Sequence, residues 1–281
     1  MTQPESKYFE NDGLRLRYLD WGNASAPPLV CVHGYTSSAE AFNGFARRFR
    51  DRFHIVALDV RGHGESAWSP GGAYTYRDQA SDLAAFADQQ GLGSFVLVGT
   101  SMGGIIAMTY AMTHGARLRA LVLNDVGPDI ETGSHRITQM AGARPDSFPT
   151  LDEALAWRRA ASPIVAARDL ADQRELALGL LRQQPAGSWA WKLDPAYIQQ
   201  RVAHGAPVRP DLWPVLSTLA CPALVVWGTA SDVLSETQAR RMVTTLPKGE
   251  LLEIPGTVHA PSLVEPASVS GLDRFLSGLA T

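Results

Sequence analysis

A serine whose hydroxyl could attack a carbonyl stands at position 101, inside Gly99-Thr100-Ser101-Met102-Gly103. The apolar run Phe95 to Val98 before it reads as a buried strand, and Gly104 to Met108 after it as a buried helix. Gly-x-Ser-x-Gly between strand and helix is the arrangement known as a nucleophile elbow. The serine of such a turn sits in a strained backbone conformation. Glycines at 99 and 103 remove side chains that would collide there, and Gly104 lets the helix pack closely. A serine hydroxyl is a weak nucleophile at neutral pH. It needs a general base, which in turn needs a carboxylate to orient it.

After an elbow, the partners follow in the order serine, acid, histidine. Ala223-Leu224-Val225-Val226-Trp227 reads as a buried strand, and Gly228-Thr229-Ala230-Ser231-Asp232 turns out of it. Leu251-Leu252-Glu253-Ile254 is the next strand, left through Pro255-Gly256-Thr257-Val258-His259. In an open parallel sheet the carboxyl ends of the strands share one edge, where ligands bind. Of the seven histidines, only His259 has both the chain order and the strand-end position that a base requires. For the acid, Asp232 is preferred on chain order. Asp125, at the end of Ala120-Leu121-Val122-Leu123-Asn124, stays open as the alternative, although beside Gly127-Pro128 it could equally tie down a turn.

Acyl transfer also needs donors for the developing oxyanion. The backbone N–H of Met102, following the nucleophile, supplies one. The strand Leu29-Val30-Cys31-Val32 leads into His33-Gly34-Tyr35, and the Tyr35 N–H is assigned as the second. His33 precedes the serine and is read as a brace for that loop.

These residues together resemble the α/β-hydrolase fold superfamily. The resemblance rests on His33-Gly34, on Asp59-Val60-Arg61-Gly62-His63-Gly64-Glu65-Ser66, on the elbow, on the turn ending at Asp232, and on Pro255-Gly256-x-x-His259. It spans residues from about 8 to 276. The resemblance implies an α/β fold with a mostly parallel eight-stranded sheet flanked by helices, and a serine hydrolase using Ser101, His259 and Asp232. It implies an architectural role for the Asp59 to Ser66 stretch. Two departures stand out. Val258 precedes the histidine where glycine is usual, and Asp232 lies four residues past Gly228 where three is common.

The elements that must position these groups can be read along the chain. Asn11-Asp12-Gly13 marks a hairpin between Lys7–Glu10 and Leu14–Leu19. From residue 28 strands alternate with helical stretches such as Tyr76 to Gln90, and the last four strands of the sheet are expected near residues 94, 119, 223 and 250. Residues 1–127 and 214–281 then form the core domain, and 128–213 an inserted helical lid with no convincing strand. Its helices are expected at Leu151–Ala161, Asp169–Gln184 and Pro195–His204. Trp157, Trp189, Trp191, Trp213 and Phe148 offer an apolar wall or roof over Ser101.

Composition narrows the function classes. A chain of 281 residues with 45% hydrophobic residues can bury a sizeable core. A formal net charge of −3 gives no broad basic field for nucleic acid or anionic membrane. The pairs Arg47-Arg48, Arg158-Arg159 and Arg240-Arg241 read as solvated helix faces. The N-terminal residues lack a secretory pattern, no apolar run approaches a membrane span, and two buried-type cysteines suit a reducing compartment, so a cytoplasmic location is expected. No metal-ligand spacing or phosphate loop appears, and no cofactor is expected. The resulting expectation is hydrolysis of small, largely apolar carboxylic esters or lactones through an acyl-enzyme. Cleavage of a carbon–carbon bond in a ring-fission diketone and ligand binding without turnover remain as alternatives. The substrate is a small molecule, and self-association is left open.

Overall fold

The computed structural model describes residues 3–129 and 133–279. Strands β1 (Glu5–Asn11) and β2 (Leu14–Asp20) form the expected hairpin, with Asp12 and Gly13 both at positive φ (51° and 73°), the turn geometry that matches strand twist. Then come β3 (Pro28–Val32), α1 (Asn43–Phe49), β4 (His54–Leu58), α2 (Tyr76–Gln89), β5 (Phe95–Thr100), α3 (Met102–His114) and β6 (Leu118–Asn124). The α2 helix starts at a capping box, Thr75 accepting from the Asp78 N–H while the Asp78 side chain accepts from the Thr75 N–H.

Between β6 and the next long strand stand α4 (Gly133–Gly142), β7 (Ser147–Phe148), α5 (Leu151–Ala161), α6 (Pro163–Ala166), α7 (Leu170–Leu180), β8 (Leu181–Gln183), β9 (Trp189–Trp191) and α8 (Pro195–His204). The chain closes with α9 (Trp213–Thr218), β10 (Ala223–Gly228), α10 (Glu236–Thr245), β11 (Gly249–Ile254) and α11 (Pro266–Ser277).

The main sheet has eight strands in the order β1-β2-β4-β3-β5-β6-β10-β11. The hairpin is antiparallel and joins β4 antiparallel, while every pair from β4 to β11 is parallel. Helices cover both faces, so successive residues of a strand go to opposite cores. Val30, Val32, Leu97 and Leu123 enter one cluster, and Leu29, Cys31, Val98 and Val122 the other. This two-sided burial is why the strands read as continuous apolar runs. The strand order reverses between β3 and β5. In open parallel sheets the ligand crevice lies outside the carboxyl ends of the strands at such a reversal.

The segment between β6 and β10 departs from expectation in one respect. It is not purely helical: β7, β9 and β8 form a small antiparallel sheet. The strand β8 takes over where the helix expected to run through Gln184 stops, at Leu180. Strands of two or three residues are too short to leave a periodic signature. They carry Phe148, Trp189 and Trp191, whose rings pack with Trp157 and Leu151 into a third cluster separate from the sheet cores.

Candidate active site

Ser101 follows β5 with φ 52° and ψ −118°, a region that side chains seldom occupy. The surroundings hold it there. Its N–H donates to the Asn124 carbonyl (2.9 Å), and its own carbonyl accepts from the Gly104 N–H (2.8 Å). A Cβ on Gly99 would lie 2.5 Å from the Gly103 carbonyl oxygen, and one on Gly103 would overlap the Val32 carbonyl. Both glycines are thus required by close backbone approach, as the motif implies.

The His259 Nε2 lies 2.8 Å from the Ser101 Oγ, and its Nδ1 lies 2.8 Å from the Asp125 Oδ2. With a carboxylate at Nδ1, the proton resides on Nδ1 and Nε2 is left to accept from the serine hydroxyl. The strand register explains why Asp125 is the carboxylate beside His259. Thr100 pairs with Asn124, so the residues that follow, Ser101 and Asp125, leave adjacent strands at the same level. The Asp125 side chain is fully buried, and its second oxygen accepts from the Gly228 N–H (3.0 Å).

Asp232, expected in that position, is elsewhere. Its carboxylate takes a two-point contact from Arg136, Nε at 2.6 Å and Nη2 at 2.9 Å, with the side chain 40% exposed. The Arg136 hydrogen bonds hold its carboxyl below the usual range. The cause is the turn out of β10: the Ser231 N–H closes onto the Gly228 carbonyl (2.9 Å), and the four-residue spacing carries Asp232 past the imidazole to the protein surface.

The His33-Gly34-Tyr35 loop runs against the nucleophile, close enough that a Cβ on Gly34 would lie 3.3 Å from the Ser101 Cβ. His33 is fully buried. Its Nε2 accepts from the Val60 N–H (3.1 Å), which leaves Nδ1–H to donate to the Gly34 carbonyl (2.8 Å). Burial lowers the pKa of its imidazole, and these two bonds brace the loop. The Tyr35 ring both lines the cavity and stacks edge-on with Tyr197 of α8. The Asp59 to Ser66 stretch is a hydrogen-bonded frame: Asp59 accepts from Ala39 N–H, Glu65 N–H and the Arg17 guanidinium.

A cavity of about 400 Å³ opens over Ser101 and His259. Its far wall comes from α4, α5 and the segment around α6. Trp157 and Trp191 line it, but Trp189, Trp213 and Phe148 do not. Trp213 instead donates its indole N–H to Asp129 (2.9 Å) and packs under Arg241. The lining also holds Arg136, Arg144, Arg158 and Arg168. The Arg158-Arg159 pair is therefore split: Arg159 faces solvent while Arg158 is half-buried in the cavity wall. The wall is mainly apolar, as expected, but it also carries four arginines that were not foreseen. Arg136 and Met140, four residues apart, share a face of α4, and Arg144 follows just past its end.

The family model for the alpha/beta hydrolase fold matches residues 27–266, and the chain belongs to that family. The chain is 30% identical to the 3-hydroxybutyrate-oligomer hydrolase of Cupriavidus necator, over 94% of this chain and 93% of that one. It is 27% identical to the 2-(acetamidomethylene)succinate hydrolase of Mesorhizobium japonicum, over 86% and 84% respectively. Among solved structures, an alpha/beta hydrolase from Novosphingobium aromaticivorans superposes with a TM-score of 0.87 at 33% identity, covering 99% of both chains. No helix among the described residues is long and apolar enough to cross a membrane.

Proposed function

We propose that this chain is a serine hydrolase of small carboxylic esters, with Ser101 as nucleophile, His259 as general base and acid, and Asp125 as the orienting carboxylate. One observation carries the reading: two consecutive 2.8 Å contacts run from the Ser101 hydroxyl through both nitrogens of His259 to a buried carboxylate. His259 Nε2 takes the hydroxyl proton as Oγ bonds to the ester carbonyl carbon, while Asp125 stabilises the imidazolium. The backbone N–H groups of Met102 and Tyr35 receive the oxyanion. Collapse expels the alcohol, which takes the proton back from His259 and leaves an acyl-serine. Water, deprotonated by the same imidazole, releases the acid and restores Oγ–H.

The inserted segment acts as a lid that closes the cavity to all but small substrates. The relative from Cupriavidus necator, similar over nearly the whole chain, supports short oligoesters of a hydroxy acid as the substrates to try first. Ser101→Ala is expected to abolish turnover of p-nitrophenyl butyrate and of a hydroxybutyrate dimer with the fold intact. A fluorophosphonate is expected to label the parent protein at Ser101 alone. Turnover surviving in the alanine variant, or a serine inert to the fluorophosphonate, overturns the assignment.

A further inference from the structure

The cavity over Ser101 is charged in one sense. Four arginines line it, and no aspartate or glutamate does. Two of the four are neutralised locally: Arg136 by Asp232, and Arg168 by Asp172 at 3.8 Å. The other two have no ion pair among the described residues. Arg144 lies with its guanidinium 4.4 Å from the centre of the Trp191 ring, and that indole is fixed by its N–H on the Pro145 carbonyl (2.7 Å). Arg158 has Nη1 buried with no hydrogen-bond partner, and the charge felt there is that of another cation, Arg168.

A buried donor of this kind costs free energy unless something accepts from it. Burial pushes both guanidinium groups down to about 10, which leaves them fully protonated at neutral pH. Two cations thus border the cavity over Ser101 with no carboxylate paired to either among the described residues. Structural use of Arg144 is already met by its aromatic partner. Arg158 has no equivalent partner.

We propose that Arg144 and Arg158 form a carboxylate subsite, so that the preferred substrate is an ester bearing a free carboxylate, such as a monoester of a dicarboxylic acid or an oligoester with a free acid end. This deepens the esterase reading and rests on it. Arginine suits the task because its planar fork matches a carboxylate with two parallel N–H donors. The reaction remains plain hydrolysis, in which the distal carboxylate is bound and unchanged. Its position would fix which ester bond of a longer chain meets Ser101.

The test compares two p-nitrophenyl esters of equal chain length, the adipate monoester and the hexanoate, in the parent protein and in Arg144→Gln and Arg158→Gln. The parent is expected to favour the adipate monoester in kcat/KM, and each variant to lose that preference at least tenfold, mainly through KM. Fluorophosphonate labelling of Ser101 reports that each variant has folded. Arg158→Lys, which keeps the charge but not the fork, is expected to recover part of the preference. A parent that treats both esters alike or favours the hexanoate, or glutamine variants that keep the parental ratio, overturns the proposal. If neither ester is cleaved, the esterase reading fails separately, and the subsite is judged by calorimetry of the adipate monoester on Ser101→Ala. Saturable binding that Arg158→Gln abolishes supports it, and binding no tighter than the hexanoate overturns it.

Discussion

Replacing Asp125 with asparagine tests the relay at its most exacting point. The Asp125 carboxylate accepts from two donors at once, the His259 Nδ1–H and the Gly228 N–H. A carboxamide has one acceptor oxygen, so it can serve only one of them. If its oxygen stays on Gly228, its NH2 faces Nδ1, forces the proton to Nε2, and removes the base that Ser101 needs. If it flips, a donor meets the Gly228 N–H in a fully buried place. The wrong-tautomer outcome in serine hydrolases lowers kcat by roughly 10³–10⁴, equivalent to about 4–5.5 kcal/mol of barrier. Asp232→Asn removes only a half-exposed ion pair of a kind worth about 0.2–1 kcal/mol. Its effect on kcat is expected to stay within about threefold. The assay is kcat on p-nitrophenyl butyrate, normalised to active sites by the fluorophosphonate, with circular dichroism melts of both variants. An Asp125→Asn protein within tenfold of the parent, or an Asp232→Asn protein crippled a hundredfold, would refute the reasoning.

Two further outcomes follow from the frame around the site. Gly103→Ala places a methyl group against the Val32 carbonyl, and is expected to destabilise the protein by about 3 kcal/mol or more in urea titration and to leave Ser101 unlabelled; a stable, labelled variant would count against the packing account. Burial would raise the Asp20 carboxyl, but hydrogen bonds from His54, Lys7 and the Gly22 N–H outweigh it and hold the group below the usual carboxylate range. A group depressed in the folded state stabilises above its unfolded pKa of about 3.9 and loses that contribution as pH falls further. Asp20→Asn is therefore expected to cost stability at pH 6 and to flatten the decline below pH 4; parallel urea-stability curves for parent and variant would show the linkage to be absent.

Much of this molecule can be read from its residues, and the limits have physical causes. The buried parallel strands announce themselves as apolar runs because helices cover both faces, and the elbow motif names its own glycines, Gly99 against the Gly103 carbonyl and Gly103 against the Val32 carbonyl. Choosing between Asp125 and Asp232 needs more. Both follow strands on the same sheet edge, and what decides is the pairing of Thr100 with Asn124 and the hydrogen-bonded turn at Gly228. Neither is a property of spacing alone. Arg158 beside Arg159 looks like a solvated pair until the packing of α5 turns one inward. The helix α4 begins and ends in glycine, which masks its apolar stripe of Ile137 and Ala141.

Asn124 donates from its side chain to the Pro261 carbonyl (2.8 Å) and to the Thr100 hydroxyl (3.1 Å), so one residue moors the histidine's loop to the strand bearing the carboxylate. The hydroxyl and that carboxylate are translated close together, whereas the imidazole follows 158 residues after the serine. On the proposed reading, a nascent chain can pair its central strands while its serine stays silent, and reactivity waits for the late segment held by Asn124.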